Sequence, residues 1–157
     1  MFTDGMNTKD AVNAKFAEVF AKIDGKRYSV MMCKKFEAKA NISTKEVPVL
    51  GNPVVGVKAV SVKIPFTMTI YKCTEIFDDI VYSFIKNGVM PGFEIQVSNE
   101  DPATSVGRST KTYNDCVLDG DILLSLADSE GNFIEQEISG YANGYTSSSK
   151  FTNPDYM

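Results

Sequence analysis

At 157 residues, with 43% hydrophobic and 23% charged side chains, the chain can bury a core and has the make-up of one ordinary folded domain. Sixteen basic residues against twenty acidic ones leave a net charge of −4, the wrong sign for gripping a polyanion by phosphate neutralisation. Histidine is absent, which removes the commonest general base and the commonest metal ligand together and excludes histidine-dependent triads and zinc enzymes.

Cys33, Cys73 and Cys116 lie 40 and 43 residues apart, with no paired spacing for a metal site or redox dithiol. They read as reduced thiols of a chain made and kept inside a cell. Residues 1–14 lack the apolar run of a secretory signal and any sustained period, so they are expected to form an arm that orders only against a partner. Val47 to Val57 is uncharged for eleven residues but broken by Pro48, Gly51, Pro53 and Gly56, far short of the about 20 that a spanning helix needs.

A period of two runs from Phe16 to Ile23 and from Arg27 to Ile42, with Asp24-Gly25 between them as a hairpin turn. Lys34 breaks the alternation of the second, long strand. A loop is expected over 43–58, followed by alternation from Lys58 to Tyr71, too long for a compact monomer's sheet. Pro65 within it predicts an edge, a bulge or a bend. Its apolar set, from Val60 to Ile70, is expected to pack inward.

Thr74 opens the single predicted helix, 74–87, with acidic residues at its start, Lys86 near its end and Asn87-Gly88 as its stop. Strands follow at Phe93–Val97, Thr110–Leu118, Ile122–Ala127 and Phe133–Ser139, and 140–157 reads as a Tyr-, Ser- and Asn-rich tail. The sum is a mainly β, α+β fold over 15–139: an antiparallel sandwich or barrel with one flanking helix.

Gly51 to Lys58 superficially resembles a phosphate loop, but the lysine is one place late, no Ser or Thr follows it, and a strand stands where a helix must supply amides. Asp119-Gly120-Asp121 lacks the alternating ligands of a calcium loop and reads as a turn. Asp78 and Asp79 point about 100 degrees apart on a helix and serve its positive end rather than acid–base catalysis. Ser147 to Ser149 have no base to activate them. No catalytic residue, metal site or cofactor is expected. A closed monomeric β-barrel carrying a small apolar ligand is the alternative architecture, and a carboxylate hydrolase a remoter one with no residue to choose.

In order and spacing the sequence resembles the PBSX-like tail tube proteins of contractile phage tails and phage-tail-like bacteriocins. The resemblance runs from Phe16 to Ile138. It rests on Phe36-Glu37-Ala38, Glu46-Val47 with Leu50-Gly51, Tyr71-Lys72 with Thr74 before the helix, the approach to Phe93–Val97, and Gly107-Arg108. It implies a structural, non-enzymatic subunit that forms hexameric rings stacked into a hollow tube, the inner barrel closing between subunits. Tail sheath, baseplate and tail terminator proteins would be its partners, with tape measure protein and DNA passing the lumen without specific binding. Such a subunit is made in the bacterial cytoplasm and ends in the tail of a virion or phage-like particle. On this reading Lys35, Glu37, Lys39, Ser61, Lys63, Thr67 and Thr69 face the lumen. Val47, Pro48, Leu50, Gly51, Pro53, Val54 and Val55 form the contact between rings.

Overall fold

The computed structural model describes residues 5–157, and the first four residues of the expected arm lie outside it. A 3-10 turn at Thr8–Asp10 precedes β1 (Ala17–Ile23), β2 (Lys26–Ser29), β3 (Cys33–Ala38), β4 (Asn41–Val47) and β5 (Gly56–Tyr71). Helix α1 (Ile76–Asn87) is followed by β6 (Phe93–Glu100), β7 (Arg108–Leu118), β8 (Glu135–Ala142) and β9 (Gly144–Ser149). All ladders are antiparallel, and the strands join in the order β2-β1-β6-β7-β8-β5-β3, with β4 added to β5 and β9 to β7. The expected mainly β fold with one flanking helix is what the chain adopts.

Asp24 and Gly25 both take positive φ, 51° and 79°, the primed turn that the Asp-Gly pair favours and that matches the strand twist. The long strand expected from Arg27 to Ile42 is instead three strands. The chain breaks after Ser29, buries Val30, and breaks again at Lys39-Ala40. The anomaly at Lys34 is a bulge: Cys33 opposes Ile70 and Lys35 opposes Thr69, so Lys34 is the extra residue.

β5 joins these pieces to the rest. Its inner half pairs with β3 and β8, and its outer half pairs with β4 alone. Pro65 sits where β3 has ended and β4 has not begun. Its carbonyl accepts from the Lys39 amide at 3.1 Å, and since N and O of a strand residue point the same way, its missing N–H faces that gap. Phe66, Met68 and Ile70 are buried as expected. Val60 and Val62 are not: they are 53% and 57% exposed, because the strand has by then left the body of the sheet.

The helix starts at Ile76 with Glu75 as its cap residue, one later than the expected Thr74, and stops at Gly88, whose amide donates to the Phe84 carbonyl. Phe77 and Ile80 are buried over the sheet, while Phe84 and Ile85 of the same stripe are exposed. The sheet curls around a core in which Phe66 and Phe77 meet Phe93 edge-on, at centroid distances of 6.2 and 6.0 Å. Phe66, Phe77, Phe93, Met68, Ile70, Ile80, Ile95 and Ile138 are fully buried, each worth roughly 1.5–3 kcal/mol by transfer from water.

The curl turns on β7. Asp115 takes φ of 48° at an irregularity in the β6 pairing, and the strand then leaves β6 and β9 to meet β8 at Val117 and Leu118. The Asn143 amide and side chain fix that bend by donating to the carbonyls of Asn114 and Asp115. Gly140 lies beneath it, where a Cβ would overlap the Val117 carbonyl and press on the Phe66 ring.

Three expectations fail here. Residues 122–127 form no strand, because Leu124 and Leu126 turn outward while Ile122 alone packs toward the core. The tail from 140 is sheet: β8 continues to Ala142, and β9 pairs with β7 through Tyr145 opposite Tyr113. Residues 7–14 are not waiting for an outside partner. Asp10, buried, accepts from the Ser105 amide at 3.0 Å, the Ser105 hydroxyl at 2.7 Å and the Tyr156 hydroxyl at 2.9 Å. Led by that amide, these donors hold its carboxyl below its usual range.

Candidate assembly surface

Lys35 and Glu37 of β3, Thr67 and Thr69 of β5, and Glu137 and Ser139 of β8 make one polar sheet face. Lys35 opposes Thr69 and Glu37 opposes Thr67, and on the other side of β5 the same threonines oppose Glu137 and Ser139. Ser61 and Lys63 carry the face outward beside Ser43 and Asn41 of β4. Lys39 follows β3 but returns to it, its Nζ 2.7 Å from Glu37 Oε1, with Lys35 Nζ 3.6 Å from Oε2. The Lys39 contact leads in holding the Glu37 carboxyl below the usual carboxylate range.

Lys34, the bulged residue, reaches across β5 to Glu135 at 2.9 Å and lies over the Tyr71 ring. Four lysines (34, 35, 39, 63) and three glutamates (37, 135, 137) therefore share this face, and the chain's acidic surplus lies elsewhere.

Beyond Pro65 the β4–β5 hairpin stands alone. Every residue of β4, and of β5 up to Lys63, is exposed. Eight residues at about 3.3 Å each carry it some 25 Å from the body of the sheet. A bulge at Val60 sets Thr44 opposite Ala59, and Lys45 directly opposes Lys58. Like charges so placed weaken a two-stranded ribbon that is marginal by itself.

At its end Val47 closes β4, the Asn52 amide donates to the Val49 carbonyl, and the Val54 amide donates to Asn52 Oδ1. Leu50, Val54 and Val55 point into solvent from this small turn, with Ile42, Val57, Val60 and Val62 exposed below them. The turn brings Pro48, Gly51 and Pro53 to the same tip. The loop expected from Ser43 is thus only eight residues, 48–55, on a strand pair.

The sheet does not close. β2 and β3 are its two ends, and between β1 and β3 lies an open groove of about 950 Å³, lined by Val19, Phe36, Val97, Tyr113 and Phe151 among others. Among the described residues, none forms a strand on the outer edge of β3. β8 is likewise bare over Glu135–Gln136 and most of its first half, since β7 reaches only Gly140 and Tyr141 and the Asp119 amide only the Ser139 carbonyl. A sealed barrel around a ligand cavity, the alternative architecture, is not what forms.

A side-chain anchor near its start joins the backbone ties of the segment 119–134 to this frame. Lys72 Nζ donates to both Asp78 carboxylate oxygens, at 3.0 and 2.9 Å, and to the Leu123 carbonyl at 2.7 Å. Asp78, read from sequence as helix-start charge, is thus also half of a mostly buried ion pair. The thiol of Cys116 is packed in the core and burial pushes it up to about 12, whereas Cys73 is exposed.

Period-two patterning placed the polar face correctly along β3 and β5. It missed Glu135, Glu137 and Ser139, because no local signal tells which distant strand lies beside β5. It missed the Asp10 and Lys72 clasps for the same reason: their partners are 95 and 51 residues away.

A family model described as "Phage tail tube protein" matches residues 4–147. The Phage-like element PBSX protein XkdM of Bacillus subtilis (strain 168) is 26% identical over 133 residues, 85% of this chain and 87% of that protein, and the protein YqbM of the same strain matches equally. Among solved structures, a chain of the sheath–tube complex of the extracellular contractile injection system PVC, in its extended state, superposes with a TM-score of 0.66. It is 13% identical, over 92% of this chain and 99% of that one. A chain of the tube-terminating cap of the anti-feeding prophage gives 0.63 at 10% identity, over 93% and 96%.

Proposed function

The chain belongs to the phage tail tube protein family, and from that premise we propose that six copies form a ring and that rings stack into the hollow tube of a contractile tail or phage-like particle. The observation that carries this reading is the unfinished sheet: bare edges on β3 and β8 beside an apolar hairpin that nothing among the described residues of its own chain covers. Strand pairing between copies satisfies those backbone groups and closes the inner barrel between subunits. The polar face of β3, β5 and β8 then lines the bore, with Lys35, Glu37, Lys39, Ser61, Lys63, Thr67 and Thr69 toward the axis. The hairpin tip, Val47 to Val55, reaches the adjacent ring.

The subunit carries no catalytic activity. Its outer partners are the tail sheath, baseplate and tail terminator, in keeping with the sheath–tube, terminator and baseplate assemblies named for its structural neighbours. Tape measure protein or DNA occupies the lumen without specific binding, since the bore's charges are balanced mostly against one another. Synthesis and assembly take place in the bacterial cytoplasm.

Negative-stain images and light scattering of purified protein test this. Rings or tubes about one hairpin apart in repeat are expected, and a 17.3 kDa monomer that never assembles overturns it. In a variant with Cys73 replaced by Ser, a cysteine at Thr67 (Thr67→Cys) is expected to be shielded from a bulky thiol reagent in assembled tubes; rapid labelling overturns the lumen assignment.

A further inference from the structure

The chain's charge is divided between the two margins of the inner sheet. Residues 33–63, which supply β3, β4 and the outer half of β5, hold six basic and two acidic residues, a surplus of four positive charges. Residues 112–149, which supply the end of β7, the irregular segment and β8 and β9, hold seven acidic residues and no basic one.

The strand order sets these blocks apart, β3 with the hairpin at one end of β5 and β8 with the segment 119–134 on its other side. That acidic segment is tied to both ends of β8's bare half, through the Asp119 amide to Ser139 and through the Ile134 carbonyl to the Lys72 amide. Between the two blocks only Lys34 and Glu135 pair. Among the described residues Lys45, Lys58 and Lys63 have no acidic partner within 4 Å, and Asp119, Asp121, Asp128, Glu130 and Glu137 have no basic one. All eight are exposed.

We propose that successive copies around the ring dock in one direction only, the lysine-rich β3–hairpin margin of one copy against the acid-rich margin, β8 with 119–134, of the next. The inference rests on the ring reading and adds its polarity. A closed ring needs two different, complementary surfaces on each subunit, and a bare edge alone does not choose between partners. Two lysine-rich margins repel each other, as do two acidic ones, so a back-to-back dimer that would cap both edges is disfavoured. Exposed charges of this kind act mainly on encounter and orientation, and salt screens them over about 8 Å at physiological ionic strength.

The experiment follows assembly of the full-length protein by light scattering. Raising sodium chloride from 50 to 500 mM is expected to slow ring formation about tenfold or more, within the range of steered association. Lys45→Glu with Lys58→Glu, and separately Asp121→Lys with Glu130→Lys, are each expected to stay folded by circular dichroism and to lose assembly. An equimolar mixture of the two is expected to recover it, because alternating copies restore every junction and six is an even number.

Parent rings that form equally at both salt concentrations overturn the inference and leave the ring reading standing, as does assembly of either variant alone. A mixture of folded variants that stays inert also overturns it. A parent that makes no rings at any salt overturns both.

Discussion

Replacing Leu50 and Val54 by Asp together tests whether the hairpin tip is a contact. In one copy Leu50 is 103% exposed and Val54 72%, so neither supports the fold, and the pair should change subunit stability by less than about 0.5 kcal/mol each. If the tip is covered on stacking, each side chain gives up roughly 1.5–3 kcal/mol of burial. Each new carboxylate adds the penalty of an unpaired charge at an interface, on the order of 3 kcal/mol or more. The loss per contact is then of order 10 kcal/mol, repeated for every subunit of a ring. The variant should melt within a degree or two of the parent yet yield single rings or free subunits by negative-stain imaging. Tubes of normal length from it would refute the reasoning, and a large fall in melting temperature would show that the tip serves the monomer.

Gly140→Ala should destabilise the subunit by about 3 kcal/mol or more by thermal melting, because the new Cβ meets the Val117 carbonyl and the Phe66 ring at once; an unchanged midpoint would mean that the bend in β7 relaxes freely. Lys72→Met leaves the Asp78 carboxylate mostly buried beside an unpartnered Leu123 carbonyl, since the two side chains are only 9% and 16% exposed. A loss of about 3 kcal/mol is expected in denaturant unfolding, and under 1 kcal/mol would refute the clasp.

Gln136 is buried with neither amide atom hydrogen-bonded to the protein, so Gln136→Met should raise stability by about 1–2 kcal/mol, and a clear loss would reveal a partner for it. The folded state holds the Cys116 proton more tightly than the unfolded chain, with a pKa raised from 9.0 to about 12. That contribution is complete below pH 9 and drains away between pH 9 and 12. Cys116→Ala should flatten this part of the alkaline stability curve, and parallel curves for variant and parent would refute it.

What the sequence made legible was set by local physics. Alternation identified the face that Thr67 and Thr69 share with Lys35 and Glu37, the Asp-Gly turn between β1 and β2, and the amphipathic helix, because each depends on neighbours a few residues away. Alternation alone could not separate β3 from β4, since both keep the same period across the break at Lys39-Ala40. Nor could it foresee that Val60 and Val62, patterned like core, lie where the sheet has run out. The Ser-rich composition of residues 144–149 hid β9, whose side chains are exposed or half-buried and whose place depends on pairing with β7. Ile122 to Ala127 misled in the opposite sense, its apolar residues fitting a strand for which no ladder partner is at hand.

The union of Asp10 with Ser105 and Tyr156 brings the start and finish of the described chain to one spot. The polypeptide is in effect a closed loop cut at that knot. A short linker joining Tyr156 to Asp10, with new ends opened at the exposed turn Asp128–Gly131, should give a rewired molecule of the same shape, because folded domains tolerate such permutation where the joined points already meet.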